Sequence, residues 1–249
     1  MPQGLGIQLG LGGGRSATSS GAPSGGTPLN NTASCDFDGS NDTCSLGFSM
    51  PAYSAFSWSG WVKTTDAQGA LCGAIDSGGN LAFTRGGVVW SGSKWYFSMG
   101  NGSAASYENT THSCSAILDG DWHHVVKTVD GTSQKIYVDG SLNASWTSSV
   151  AAGTAGAHNI DIGSWGGLYY FTDGLIDEVA LLNSALSASD VTDVYNSGVP
   201  ASLSSYNPYG WWRMGDNDGS SGTTITDQGS GGNDGTLVNG PTFSTDVPS

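Results

Sequence analysis

Apolar positions along this chain recur mostly at a spacing of two. Phe56-Ser57-Trp58-Ser59-Gly60-Trp61-Val62-Lys63 alternates large apolar with small or polar residues and ends at a charge. Successive side chains of a strand point to opposite faces, so this pattern predicts a strand with one face in a core. Residues 122–129 predict another, followed by the turn Asp130-Gly131. Lys135-Ile136-Tyr137-Val138 comes next and closes at Asp139-Gly140. An Asp-Gly pair between apolar runs is a strong turn signal. Residues 69–75, 81–84, 94–99, 159–163 and 174–182 read as further strands. Residues 34–38 and 43–46 are expected to form a hairpin around Gly39-Ser40-Asn41. One short helix is predicted: Ser187 to Asp190 has capping-box spacing, Val191, Val194 and Tyr195 share a face, and Gly198 and Pro200 stop it. Many strands separated by polar turns predict an all-β sandwich or barrel.

Three regions follow. Residues 1–33 form an extended Gly-rich arm. Leu5, Ile7, Leu9 and Leu11 share one face of it, so they can lie on another surface or add to a foreign sheet edge. Residues 34–249 form one domain. Within it, residues 201–249 are too short and Gly-rich to hold a core alone. They are expected to complete the sandwich, with Trp211 or Trp212 buried.

Composition supports this reading. Charged residues are only 11%, while 40 glycines and 10% aromatics speak for many turns rather than disorder. Seven basic residues against 21 acidic ones give a net charge of -14, which repels phosphate backbones, so no nucleic-acid partner is expected. No stretch approaches the roughly 18 apolar residues of a membrane helix, and residues 1–14 lack the pattern of a secretory leader. Cys35, Cys44, Cys72 and Cys114 form no CxxC pair. They read as small buried residues, with Cys35–Cys44 or Cys72–Cys114 bonding left open.

Several blocks together carry a family resemblance. Asp36-Phe37-Asp38-Gly39-Ser40-Asn41-Asp42 and residues 56–63 come first. Asp121-Trp122-His123-His124-Val125-Val126 follows, then Ile136-Tyr137-Val138-Asp139-Gly140. Gly174-Leu175-Ile176-Asp177-Glu178-Val179-Ala180-Leu181 closes the series. In this order, over residues 34–200, they resemble laminin G-like domains of the concanavalin A-like lectin and glucanase superfamily. The resemblance implies a jelly-roll sandwich of two antiparallel sheets. The block Trp211-Trp212-Arg213-Met214-Gly215-Asp216 looks like one that usually opens such domains, here placed last. That order, with the Gly/Leu arm, resembles virion proteins of marine tailed phages.

Catalytic residues are not expected. The glucanases of the superfamily carry a motif resembling Glu-x-Asp-x-x-Glu, with carboxyls flanking the scissile bond. This chain has only Glu108 and Glu178, far apart, and no such motif. His123 and His124 are adjacent on a strand and point to opposite faces, so they do not share a metal. The resemblance implies an optional structural calcium near Asp38, Asn41, Asp42 and Asp177; otherwise those groups cap turns and bond backbone amides. No cofactor is required. Sugar binding would use exposed aromatics, for which Trp90, Trp95, Tyr107, Trp165, Tyr169 and Tyr170 are the candidates. Trp165-Gly166-Gly167-Leu168-Tyr169-Tyr170 is the strongest group, since its glycines place rings on a loop.

These features give a first expectation of a non-enzymatic virion component, a head decoration or fibre part. The arm would anchor it to other virion proteins or to copies of itself, and it would bind host-surface polysaccharide. The alternative is a lectin-like adhesion domain at a cell surface or in the extracellular space; a glucan hydrolase ranks last.

Overall fold

The alternating segment at residues 56–63 becomes the middle strand of a broad sheet. The computed structural model describes residues 27–75, 87–101, 104–108, 111–152 and 159–249. In chain order its strands begin with β1 (Ser34–Asp38), β2 (Thr43–Ser45), β3 (Ala55–Lys63), β4 (Gly69–Ile75), β5 (Val88–Ser91) and β6 (Lys94–Gly100). Then come β7 (Ala105–Glu108), β8 (Trp122–Asp130), β9 (Ser133–Val138), β10 (Ser141–Thr147), β11 (Asn159–Ile162) and β12 (Asp173–Leu182). Helix α1 (Ala188–Tyr195) precedes β13 (Gly210–Trp212), β14 (Thr224–Ile225), β15 (Gly235–Val238) and β16 (Thr242–Ser244).

The first sheet runs β10-β9-β8-β3-β12-β1-β16, with β13 also paired to β12. The second runs β14-β15-β2-β11-β4-β5-β6-β7. The pairings are antiparallel. Between the sheets lies one apolar core in which Trp58, Trp90, Trp95 and Trp212 are fully buried. Aromatic side chains of this size dominate core energetics. The architecture is the all-β two-sheet sandwich expected from the alternation.

The expected hairpin of β1 with β2 is corrected. β1 pairs with β12 and β16 in the first sheet, while β2 pairs with β11 and β15 in the second. Cys35 and Phe37 of β1, Cys44 of β2 and Leu46 just after it fill the same core. Facing strands of a sandwich satisfy that requirement, so the chain arches from sheet to sheet. Gly39 makes the bend at φ +72°, and a Cβ there would meet the Asp173 Cβ at 2.8 Å. The four cysteines are buried free thiols. Burial pushes Cys72 and Cys114 up to about 12, which leaves both unreactive.

Helix α1 has the capping box read from sequence: Asp190 N donates to Ser187 Oγ, and Ser187 N to Asp190 Oδ2. Val191 and Val194 pack with Leu182, Leu186, Tyr137 and Trp211 on the outer face of the first sheet. The helix stops at Asn196, in the left-handed region at φ 49°, rather than at Gly198 or Pro200. Asn tolerates that conformation and so ends the helix earlier. Residues 210–244 contribute strands to both sheets, and both Trp211 and Trp212 are buried. The strands β5, β7, β10 and β16 were not anticipated. The expected strand at residues 81–84 and the arm residues Leu5, Ile7, Leu9 and Leu11 lie outside the described residues.

Charged side chains also enter the interior. Lys127 on β8 is fully buried, with Nζ donating to Gly87 O at 2.9 Å and standing 5.3 Å from the Phe97 ring centroid. Arg213 pairs with Glu178 at 2.7 Å and with Asp216 at 2.8 Å. Trp211 Nε1 also donates to Glu178, and Asp216 Oδ1 accepts from Thr32 N and Oγ1. This network ties residues 30–32, β12 and the return segment together.

Candidate functional site: an aromatic loop beside a carboxylate cleft

Residues 164–172 leave β11 and fold back over the outer face of the second sheet. Gly166 and Gly167 turn the loop at φ 65° and 67°, and Trp165 N donates to Tyr169 O at 2.8 Å. Trp165 rests on Gly73, where a Cβ would come within 2.6 Å of its ring. Only a glycine lets the indole lie this close to the sheet.

Trp165 is 3% exposed and forms the base of an aromatic row. It stacks on Tyr170 at 5.7 Å and 19°. Tyr96 on β6 sits 5.2 Å from Trp165 and stacks on Tyr107 at 6.2 Å. Tyr169 lies at one end, 49% exposed, and Tyr107 at the other, 59% exposed. Burial pushes the Tyr96 phenol up to about 12, so it stays protonated at neutral pH. Such a row offers flat apolar faces with hydroxyl tips, the chemistry that stacks on C–H faces and bonds polar edges.

A cleft of about 300 Å³ lies on the other flank of the loop. In β11, alternation sends Ile160 and Ile162 into the core and leaves Asp161 on the outer face, paired with Ser45 and Gly73. Asp161 is 3% exposed, and its Oδ2 has no hydrogen-bond partner. Burial pushes its carboxyl up to about 6, against the opposing effect of the Ser45 and Thr43 hydroxyls. Gly167 stands over it: a Cβ there would lie 3.6 Å from Oδ2. Asn41 and Asn239 line the cleft wall, and the partly exposed Leu168 and Val238 line its rim.

The residues singled out from sequence divide into two groups. Tyr107, Tyr169, Tyr170 and Trp165 come together in the row. Trp90 and Trp95 do not, and the expectation for them is corrected: both are fully buried between the sheets. They face each other across the β5–β6 hairpin, with ring centroids 6.5 Å apart at 83°. Their Nε1 groups are satisfied by Asp66 O and Asn143 Oδ1. Tyr96 and Asp161 were missed. Each is a polar-tipped residue between two core residues of a short strand, which is the signal that marks an outward position.

The four calcium candidates do not converge. Asp38 and Asp42 flank a separate cleft with Asp36 and Asp173. There Asp38 Oδ1 accepts from Ser40 N, and Asp42 Oδ2 from Asp38 N. Asn41 lines the Asp161 cleft instead. The β1–β12 register sets Asp38 against Asp173, four residues before Asp177, which is buried and accepts from Asn31 Nδ2 and Glu178 N. Among the described residues no group of three or more His, Cys, Asp or Glu side chains is placed to hold a metal ion. Calcium takes six to eight oxygen ligands, and the side chains of Asp38, Asn41, Asp42 and Asp177 are not gathered into one such set.

Glu108 and Glu178 sit on strands of different sheets. His123 bonds Asp119 and Asp139, whereas His124 is buried against Ser59 Oγ on the opposite face. Among the described residues no helix is long and apolar enough to cross a membrane.

The comparisons with known proteins bear on the fold. A solved protein from Bacteroides ovatus, described as a candidate carbohydrate-binding protein, superposes with a TM-score of 0.61 at 20% identity. The match covers 89% of this chain and 62% of that one, so the present chain spans less than two thirds of its length. A heptameric pentraxin from Limulus polyphemus gives 0.46 at 17% identity, over 66% of this chain and 82% of that one. Mouse laminin α1 domains LG4-5 give 0.46 at 12%, over 66% and 45%. No curated protein sequence matches the chain. The laminin G-like family model matches residues 38–192, more than half of the chain. The chain therefore belongs to the concanavalin A-like lectin/glucanases superfamily.

Proposed function

We propose that this protein is a non-enzymatic carbohydrate-binding adhesion module whose glycan contacts lie on the outer face of the second sheet. The observation that carries this reading is the aromatic row, with Tyr169 and Tyr107 open to solvent at its ends. Trp165 and Tyr96 hold the row rigid from beneath, so little conformational freedom is lost on binding. The Bacteroides protein of the same fold is described as carbohydrate-binding, which is consistent with this role. Tyr169→Ala is expected to weaken glycan binding about tenfold while leaving the melting temperature unchanged, since one stacked ring contributes on the order of 1 kcal/mol. A glycan array followed by titration calorimetry checks this. No signal from the intact protein would sink the reading.

A finer reading places the module on a tailed-phage virion, held to other virion proteins or to its own copies by the arm. The sequence feature that favours it is the apolar face of Leu5, Ile7, Leu9 and Leu11. Leu29, Asn31 and Thr32 bond to the domain, so the informative truncation stops at residue 26. Removing residues 1–26 is expected to abolish incorporation into assembled particles and to leave glycan affinity intact. Unchanged incorporation would argue against the anchor.

A further inference from the structure

We infer that the cleft over Asp161 is a subsite for a single non-acidic sugar residue, and that it makes the module reject uronic-acid and sulfated glycans. The inference rests on the adhesion reading and goes beyond it by naming the class of ligand.

The starting point is an unsatisfied group. Asp161 Oδ2 is buried and accepts no hydrogen bond. Leaving such an acceptor unpaired is costly, and an ionised carboxylate only accepts. A Cβ at position 167 would lie 3.6 Å from this oxygen, but the loop turns there at φ +67°, a conformation that favours glycine. With glycine at that turn, the cleft beside Asp161 has no side chain from position 167 in it. A donor brought by a ligand completes the site, and sugar hydroxyls are donors.

The surroundings select among donors. Leu168, 41% exposed, and Val238 form an apolar rim against which a ring's C–H face can pack. The volume of about 300 Å³ is at the small end for ligand sites and suits one ring. Asn239 belongs to this cleft and to its neighbour, which is lined by Asp36, Asp38, Asp42 and Asp173. Among the described residues no Lys or Arg lines either cleft. The chain's net charge is -14. A ligand carboxylate or sulfate would enter this field beside Asp161 with no cation to pair with, and like charges in a partly buried site repel strongly.

The test uses the full chain on an array of neutral, amino-, uronic-acid and sulfated glycans at pH 7.5. Wild type, Asp161→Asn and Leu168→Ala are compared, and thermal melting reports whether each variant is folded. Wild type is expected to bind non-acidic glycans at least tenfold better than acidic ones. Asp161→Asn is expected to lose about tenfold on the preferred glycans, to narrow the gap to acidic ones, and to melt no lower than wild type. Leu168→Ala, at an exposed rim position, is expected to weaken binding several-fold without altering that selectivity. If wild type binds glycans but Asp161→Asn changes neither affinity nor selectivity, the subsite is overturned and the adhesion reading stands. A preference of wild type for acidic glycans has the same consequence. Absence of any glycan binding by wild type overturns both.

Discussion

Lys127→Met is expected to raise stability by about 2–4 kcal/mol at pH 7. Burial pushes the Lys127 ammonium down from 10.5 to about 7, with the nearby Cys72 opposing slightly. The unfolded chain therefore holds a proton that the folded chain releases between pH 7 and 10.5. Wild-type stability rises with pH across that window, by up to about 1.4 kcal/mol per unit. As the pH falls from 10.5 to 7 this stability is lost, leaving a penalty of roughly 5 kcal/mol at neutral pH. Methionine matches the aliphatic stem and keeps its packing against Phe97. The Gly87 carbonyl loses its donor, which takes back about 1–3 kcal/mol. Urea unfolding at pH 7 and pH 10 checks the prediction: the gain should be present at the first and absent at the second. A variant no more stable than wild type at pH 7 would contradict it.

Arg213→Met should act in the opposite direction and cost about 3–5 kcal/mol, because it strands buried carboxylates. The Arg213 guanidinium pairs with Glu178 and Asp216, whose side chains are 4% and 2% exposed. Burial already holds the Glu178 carboxyl above its usual range, and Arg213 is the main opposing influence. Asp177 beside it is raised by burial and by Glu178. A carboxyl raised in the folded state favours folding at low pH and loses that contribution as pH rises through its folded value. Without Arg213 these values climb further, so the deficit should be largest near neutral pH and shrink on acidification. Arg213→Lys keeps the charge but loses the fork, and should fall between wild type and Met. Denaturation of the three proteins at pH 7.5 and pH 5 decides the matter; equal losses at both pH values would contradict the account.

Much of the fold was legible in local pattern. The alternation at residues 56–63, the Asp-Gly turns at 130–131 and 139–140, and the capping box at Ser187 are contacts over a few residues. Their physics needs no knowledge of the rest of the chain. The β1–β2 arch was not legible, because a hairpin and a sheet-to-sheet arch share the same turn residues and differ only in which distant strands pair. Trp90 and Trp95 failed as site candidates for a similar reason: alternation says two residues share a face, not which face is inside.

The same distinction governs the site. The glycine-hinged loop at residues 165–170 announced itself, since Gly166 and Gly167 beside three rings mark a turn that displays aromatics. Asp161 did not, because its burial and its lone oxygen arise from Ser45, Gly73 and Gly167, which stand far from it or across a turn. By itself the sequence determined the strand periodicity, the class of fold and the ring-bearing loop, all encoded at short range. Only the tertiary structure decided which strands meet, which rings see solvent and which carboxylate oxygen lacks a donor, because each depends on residues brought together from distant parts of the chain.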